Sequence, residues 1–427
     1  MEPMTISIVI FAASIVLYAL NIWPLGVTAM LSLLTLVFTG CLEAPKALAG
    51  IGSSNAVIIV GMFVVAAGLK RTSLIDQISG GIRKITNGSY PKAYAGCILL
   101  GMIVTSLITS PMVAYAICFP IMDAICNEYG KSPSKAQFPL ALVCIGACAI
   151  LPFGFAISEA ALFNGLLKTY EFDVVMSPVD FTIGRLPMLF ILLAWAIFIA
   201  PKMMPEKPML PIQTQGTKSA DLPKLKLLPN TMGSIIFFVT VFALIFNQTI
   251  GIAPWLIVIS ACFLDIAFGV LSAKEAIAAM AIDIGFMFVG ANGMAQALMD
   301  TGAATAVGEA LSTALGGTRS GLLLCFLFFI IPFILTQFML NQGVMNIFAP
   351  IALLASKALG ANPIGLLVLI CAGSLTAFMT PSATPAIPIA MAAGGYDFKS
   401  LFKMGWLIAL VLTPCYIFYV YFVIHIF

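Results

Sequence analysis

Charge is what this chain has least of. Asp, Glu, Lys and Arg make up 9% of its 427 residues, and His425 is its single histidine. With 61% apolar residues, that scarcity excludes a soluble fold, and a net charge of +3 offers no basic surface for nucleic acid. There is no HExxH, no Walker loop and no paired Cys or His cluster, which argues against an intramembrane protease or an ATP-driven pump. No catalytic residue is expected, and no cofactor beyond possible sodium ions. The ten cysteines have no CxxC spacing and lie in apolar runs, so they read as small buried residues. The opening MEPMTISIVIFAASIVLYAL lacks a basic n-region and a small-residue cleavage site, so it is expected to be a retained span from which the mature chain starts.

What is present is a series of apolar runs of about 20 residues, each long enough to cross a bilayer. Ten spans are expected near residues 5–21, 24–41, 55–69, 137–168, 181–200, 233–249, 254–271, 276–299, 363–394 and 403–425. Segments 92–127 and 319–357 are too long for one helix and are broken at Thr109-Ser110-Pro111 and around Leu340-Asn341-Gln342, so each is expected to form a re-entrant hairpin. Spans 137–168 and 363–394 are interrupted by Pro152-Phe153-Gly154 and by Pro381-Ser382-Ala383-Thr384-Pro385. Broken backbone at that depth is tolerated only where protein or a polar cavity satisfies it.

The two halves share landmarks. Thr72, Ser106, Pro120 and Pro152 recur as Thr301, Thr336, Pro350 and Pro381, each about 230 residues on, as an internal duplication requires. Five spans per repeat is an odd number, so the halves must insert in opposite directions. The expected fold is therefore an all-α membrane protein of two inverted repeats, residues 1–200 and 233–427, joined by a cytoplasmic linker at 201–232. With the N-terminus outside, fifteen Lys and Arg fall in inside loops and five (Lys46, Lys168, Arg185, Arg319 and Lys357) outside. That satisfies the positive-inside rule and puts both termini on the extracytoplasmic face of the plasma membrane. Segments 73–87 and 302–315 are amphipathic and are expected to lie along the membrane faces.

Repeats with interrupted helices mark secondary transporters, whose substrate lies between the repeats near the midplane. The ionisable residues in the spans are then candidates for coupling. Glu159 follows the break in 137–168 and would act as a proton-coupling group or cation ligand unless it is solvated or paired with Lys168. Asp283, early in 276–299, is a second candidate unless it caps its helix. Asp265 is expected in a scaffold span, and Asp123 to be solvated at the cytoplasmic end of its hairpin. Neutral donors and acceptors gather at the hairpin breaks: Ser106, Thr109 and Ser110 in the first, Thr336, Gln337, Asn341 and Gln342 in the second. Free N–H groups at hairpin tips attract anions without a basic side chain, so no buried arginine is required and none is expected.

The stretch Ala377-Phe378-Met379-Thr380-Pro381-Ser382-Ala383-Thr384-Pro385, followed by Gly394-Gly395-Tyr396 and Gly405, resembles the second-repeat break of the divalent anion:sodium symporters. That family belongs to a wider ion-transporter superfamily that also holds citrate and arsenite carriers. GMFVVAAGLKRTSL from Gly61 to Leu74 and the hairpin arms ending at Pro120 and Pro350 match less closely. The resemblance implies a homodimer whose transport domain slides against a dimerising scaffold. It implies that Ser110 and Asn341 bind substrate carboxylate and help coordinate sodium, although they are all that remains of two Ser-Asn-Thr tip motifs. Ser158 and Ile387 stand where the family has asparagine after the break. Gly154 and Ala383 keep small residues that lend carbonyls to a cation, and Thr384 lies in the break itself.

The expected function is secondary transport of a small, carboxylate-like anion coupled to sodium or protons. The expected substrate contacts are Thr109, Ser110, Ser158, Asn341, Gln342 and Thr384. Coupling falls to Ser110, Gly154, Glu159, Asn341, Ala383 and Asp283. The alternatives are the large membrane subunit of a binding-protein-dependent carrier and a cation/proton exchanger of the same superfamily.

Overall fold

The computed structural model describes residues 2–20, 22–108, 110–152, 155–212, 225–303, 306 and 320–426. Among these residues all regular secondary structure is helical, as hydrocarbon demands of backbone that must pair its own N–H and C=O groups. Seven helices are long and apolar enough to cross a membrane: Ala44–Arg71, Tyr90–Ile108, Pro178–Met203, Leu227–Ile245, Ile282–Asp300, Asn341–Leu359 and Phe398–His425. Shorter apolar helices include Leu25–Phe38, Pro254–Ala267, Gly321–Thr336 and Pro363–Ser374. Small polar residues set several starts. Ser53, Ser320 and Asn362 accept from backbone N–H groups of their first turns, and Ser177 with Asp180 and Asp397 with Ser400 form capping boxes.

The sequence breaks are where the helices break. The first hairpin has arms Tyr90–Ile108 and Pro111–Glu128, and the second has Gly321–Thr336 and Asn341–Leu359. The second tip is Gln337–Leu340, a few residues earlier than the sequence suggests, because Asn341 already begins the returning helix. The first broken helix comprises Gln137–Gly146 and Phe155–Thr169, the second Pro363–Ser374 and Ala386–Gly394. The expected span 276–299 is also divided, with Ala273–Ala279 leaving the axis at Met280-Ala281 before Ile282–Asp300. Amphipathic helix Leu74–Ile85 is present, while most of segment 302–315 lies outside the described residues.

Two groups of helices pack across the halves. Leu25–Phe38 lies against Ile282–Asp300, and Ser54–Arg71 against Pro254–Ala267. Glycine makes the first approach possible: a Cβ on Gly290 would stand 2.4 Å from the Ala29 carbonyl. In the other group both arms of each hairpin flank the first half of the broken helix that follows them. The returning arm of each hairpin also touches the second half of the broken helix from the opposite half of the chain. Both tips and both breaks are thereby carried into one buried body.

The groups meet through a few side chains. Phe11 meets the tip residue Phe338 edge-on with ring centroids 5.2 Å apart, and Phe63 meets Phe119 at 5.5 Å. Asp123 is not solvated: it is 1% exposed and pairs with Lys70 from the other group. Exposure is low because Pro111–Glu128 is enclosed on several sides, which a hydropathy pattern does not register. Asp123→Asn should cost about 1–3 kcal/mol, less than breaking a fully buried pair because Lys70 keeps some exposure. Thermal melting of the purified variant would measure it, and an unchanged Tm would show the pair to be energetically idle.

The beginning of the linker is docked to this body. Met209 and Leu210 donate their N–H groups to the Gly395 carbonyl at 2.8 and 3.0 Å. Gly395 has φ +66°, and a Cβ there would stand 2.5 Å from the Leu210 oxygen, so only glycine fits. Glu206 bonds Lys135 at 2.8 Å, and that ammonium holds its carboxyl below the ordinary carboxylate range. Residues 213–224 lie outside the described residues.

Candidate functional site

The second tip and the second break are clamped by one amide. After the apolar run Gly321–Thr336 the chain leaves the helix at Gln337, which is 3% exposed. Its Nε2 donates to the carbonyls of Phe333 at 2.8 Å and Thr376 at 3.2 Å. Its Oε1 accepts from the backbone N–H groups of Phe378 at 3.0 Å and Met379 at 2.9 Å. Its own carbonyl accepts from the Thr380 hydroxyl and, at 3.3 Å, from Ser382. Gln337 thus satisfies much of the polar backbone exposed when the helix unwinds between Ser374 and Ala386. In the sequence Gln337 stands among the neutral donors at the second hairpin break but not among the expected site residues. The signal was there: it is the first amide after an arm with no charged or amide side chain.

Beside it, the Thr336 hydroxyl lies 2.6 Å from the Ser374 carbonyl and 2.7 Å from Asn341 Oδ1. One hydroxyl proton cannot serve both. The consistent network turns the Asn341 amide so that its NH2 donates to Thr336, which in turn donates to Ser374. In the break, Ala383 donates its N–H to the Thr380 carbonyl at 3.1 Å. The Thr384 and Ser374 hydroxyls are buried without a hydrogen-bond partner. Unpaired hydroxyls of this kind call for a ligand, an ion or water.

The two halves touch chemically at Glu159. It is 5% exposed, one turn into Phe155–Thr169, and accepts from Gln342 Nε2 at 3.4 Å. It is neither solvated nor paired with Lys168. Ser158, its neighbour, is exposed, and Ile387, where the family has its second asparagine, is buried. At the first tip the half-buried Ser110 caps Pro111–Glu128, accepting from Val113 N–H at 3.4 Å, while Ser106 donates to its own helix at Met102. Thr109 and Gly154 lie outside the described residues. Asp283 is not brought to the tips. It accepts from the Gly26 N–H at 3.1 Å and lines a separate cavity of about 360 Å³ with Trp23, Pro211, Met391 and Tyr396. Asp265, 2% exposed, packs on Gly68 in the other group of helices.

One expectation is overturned. Arg185 is not a loop residue and a buried arginine is present: it lies within Pro178–Ala194 and is 1% exposed. The charge count puts it in an outside loop although it falls within the expected span 181–200, and the helix shows it two turns past its start at Pro178. Its guanidinium faces Ile145 and Gly146 carbonyls at 3.5 and 3.4 Å and the Cys371 carbonyl at 3.5 Å. Thr182, one turn earlier, donates to the Ile150 carbonyl at 2.5 Å, and Met188, one turn later, has its sulfur 2.9 Å from the Thr376 hydroxyl. A single face of this helix therefore touches both breaks.

Paired hairpins abutting paired broken helices, with seven apolar span-length helices among the described residues, define a multi-pass membrane transporter. The chain belongs to the citrate transporter family, whose profile, described as Citrate transporter, matches residues 15–317 and 241–426. An uncharacterised transporter of Haemophilus influenzae is 23% identical over 396 residues, covering 90% of this chain and 84% of that protein. An uncharacterised transporter of Synechocystis is 28% identical over 145 residues, and there the match spans 34% of this chain and only 23% of the relative's length. The solved structure of the Alcanivorax borkumensis YdaH transporter aligns over 98% of each chain at 13% identity, with a TM-score of 0.44.

Proposed function

We propose that this protein is a secondary carrier of a small carboxylate anion such as citrate or a dicarboxylate, driven by a sodium or proton gradient. The observation that carries the reading is the convergence of both hairpins on both broken helices. The returning arms start at Pro111 and Asn341 and the second half-helices at Phe155 and Ala386. Free N–H groups at such N-termini favour a carboxylate. Ser110, Ser158, Asn341, Gln342 and Thr384, with Thr109, would contact substrate. Carbonyls at Gly154 and Ala383 would hold a sodium ion, with Ser110 and Asn341 contributing to it, and Glu159 would carry a proton if coupling is to protons. Asp283, being remote from the tips, would act on the movement of the body and not on the site.

In this reading the halves insert in opposite orientations in the plasma membrane, with both termini extracytoplasmic. The body of hairpins and broken helices moves as an elevator against the remaining helices, which would form a homodimer. The buried Glu159–Gln342 contact also favours a second reading, cation/proton exchange. Uptake of labelled citrate, dicarboxylates and sulfate by proteoliposomes, under separate inward sodium and proton gradients, tests both. Gradient-driven accumulation of a carboxylate is the expected result, and sodium or proton efflux without uptake of any anion would replace carriage by exchange.

A further inference from the structure

The element of this site that neither the family nor the tip motifs account for is Arg185. Among the described residues it is the one Lys or Arg that is buried in the fold. Guanidinium does not lose its proton in a protein, so a permanent positive charge stands in the apolar interior. No carboxylate forms an ion pair with it among the described residues; it faces backbone carbonyls, with the Cys371 thiol beside one of them.

Those carbonyls share one origin. Ile145 and Gly146 end the half-helix Gln137–Gly146, and Cys371 lies in the last turn of Pro363–Ser374. Two of them also accept backbone N–H groups at the helix ends, Cys371 from Leu375 at 2.9 Å and Ile145 from Cys148 at 3.3 Å, so what they offer the guanidinium is a second lone pair and the negative end of the helix dipole, equivalent to roughly half an elementary charge. Two such ends from the two halves of the chain meet at one point, and the guanidinium occupies it. The contacts are 3.4–3.5 Å, long for hydrogen bonds, and the buried Nε has no partner. The place therefore holds a charge between dipoles more than it fits a fork of donors. In broken-helix transporters, half-helix C-terminal ends are where coupling cations bind. The arrangement is one-sided: the last long helix, Phe398–Tyr419, meets the second break with Gly405, against Phe378 and Met379, and brings no charge there.

We infer that Arg185 is a built-in cation, held by the C-terminal carbonyls of both broken helices in a place an exchangeable coupling ion would otherwise fill. One positive charge then stays with the site whether it is loaded or empty, and fewer mobile cations are needed to neutralise an anionic substrate. The inference rests on the carrier reading for its consequence but not for its test.

The test is thermal melting of the purified full-length protein with sodium, guanidinium or choline chloride at equal ionic strength. Arg185→Ala should melt below wild type and regain stability, in a saturable way, with guanidinium but not with choline, and should gain more from sodium than wild type does, whereas wild type shows no guanidinium response and only the sodium response of a coupling site. Arg185→Lys should remain close to wild type, and Arg185→Met should be destabilised with no cation response beyond that of wild type. A Met variant as stable as wild type, or an Ala variant no more responsive than wild type, overturns the inference. If the Ala variant does not fold, Lys and Met decide: a folded Lys variant beside an unfolded Met variant supports a charge requirement. Failure of both shows that guanidinium shape is what matters and sinks the idea. If wild type takes up no anion, the proposed function fails while the melting result still reads Arg185. If a carboxylate is carried, guanidinium should restore uptake by the Ala variant.

Discussion

Gln337→Ala should abolish carriage and lower stability by about 3–6 kcal/mol, the largest single-residue effect expected outside Arg185. The substitution removes little apolar area. What it leaves behind is the N–H groups of Phe378 and Met379 and the carbonyl of Thr376, buried and unpaired. Each orphan costs about 1–3 kcal/mol, and the sum is not fully additive. Gln337→Met separates the hydrogen bonds from the volume, since it fills nearly the same space without the amide. It should melt almost as low as the alanine variant. A methionine variant with wild-type Tm would mean that water or a rearranged break replaces the clamp. Uptake should fall in both variants, because the break that presents Ala383 and Thr384 is held in shape by the same amide.

The second large effect concerns coupling. Glu159→Gln preserves size and can still pair with Gln342 by turning its amide, so folding should change little. A one-unit pH gradient is worth about 1.4 kcal/mol per proton, or about a tenfold accumulation. If Glu159 carries the coupled proton, that accumulation should vanish in the variant while substrate exchange across the membrane persists. Unchanged accumulation under the same pH gradient would remove Glu159 from coupling and assign the proton to another group, and accumulation that only a sodium gradient drives in wild type would make sodium the driving ion. A double-mutant cycle with Gln342→Ala would then show whether the contact across the two halves couples binding, with an interaction of about 0.5–3 kcal/mol expected of residues in one network.

Much of the architecture was legible because a bilayer punishes irregular backbone. Proline and short polar runs inside apolar segments mark the places where backbone must be satisfied by protein, and Ser110-Pro111 and Pro381 to Pro385 stand at those places. Glu159 drew notice for the same reason, as a carboxylate too costly to place in a span without a partner, and the partner it has is Gln342. Asp283 met the same criterion and is elsewhere. Its partner is the Gly26 N–H, in the first turn of helix Leu25–Phe38 and far away in the chain, which no pattern within its own helix could point to.

What the sequence determined by itself was the class of protein: the scarcity of charge, the span-length runs, the duplicated landmarks and the breaks depend on composition and local period. The tertiary structure alone decided which polar groups share a site. Gln337 meets Phe378 and Met379 from another helix pair, Lys70 meets Asp123 across two groups of helices, and Arg185 meets carbonyls from both halves. Each is a contact between residues distant in the chain, fixed by how the hairpins and half-helices pack. Charge counting assigns a lone arginine to water because burial is costly. Only the convergence of two helix ends supplies the negative potential that makes Arg185 tolerable inside.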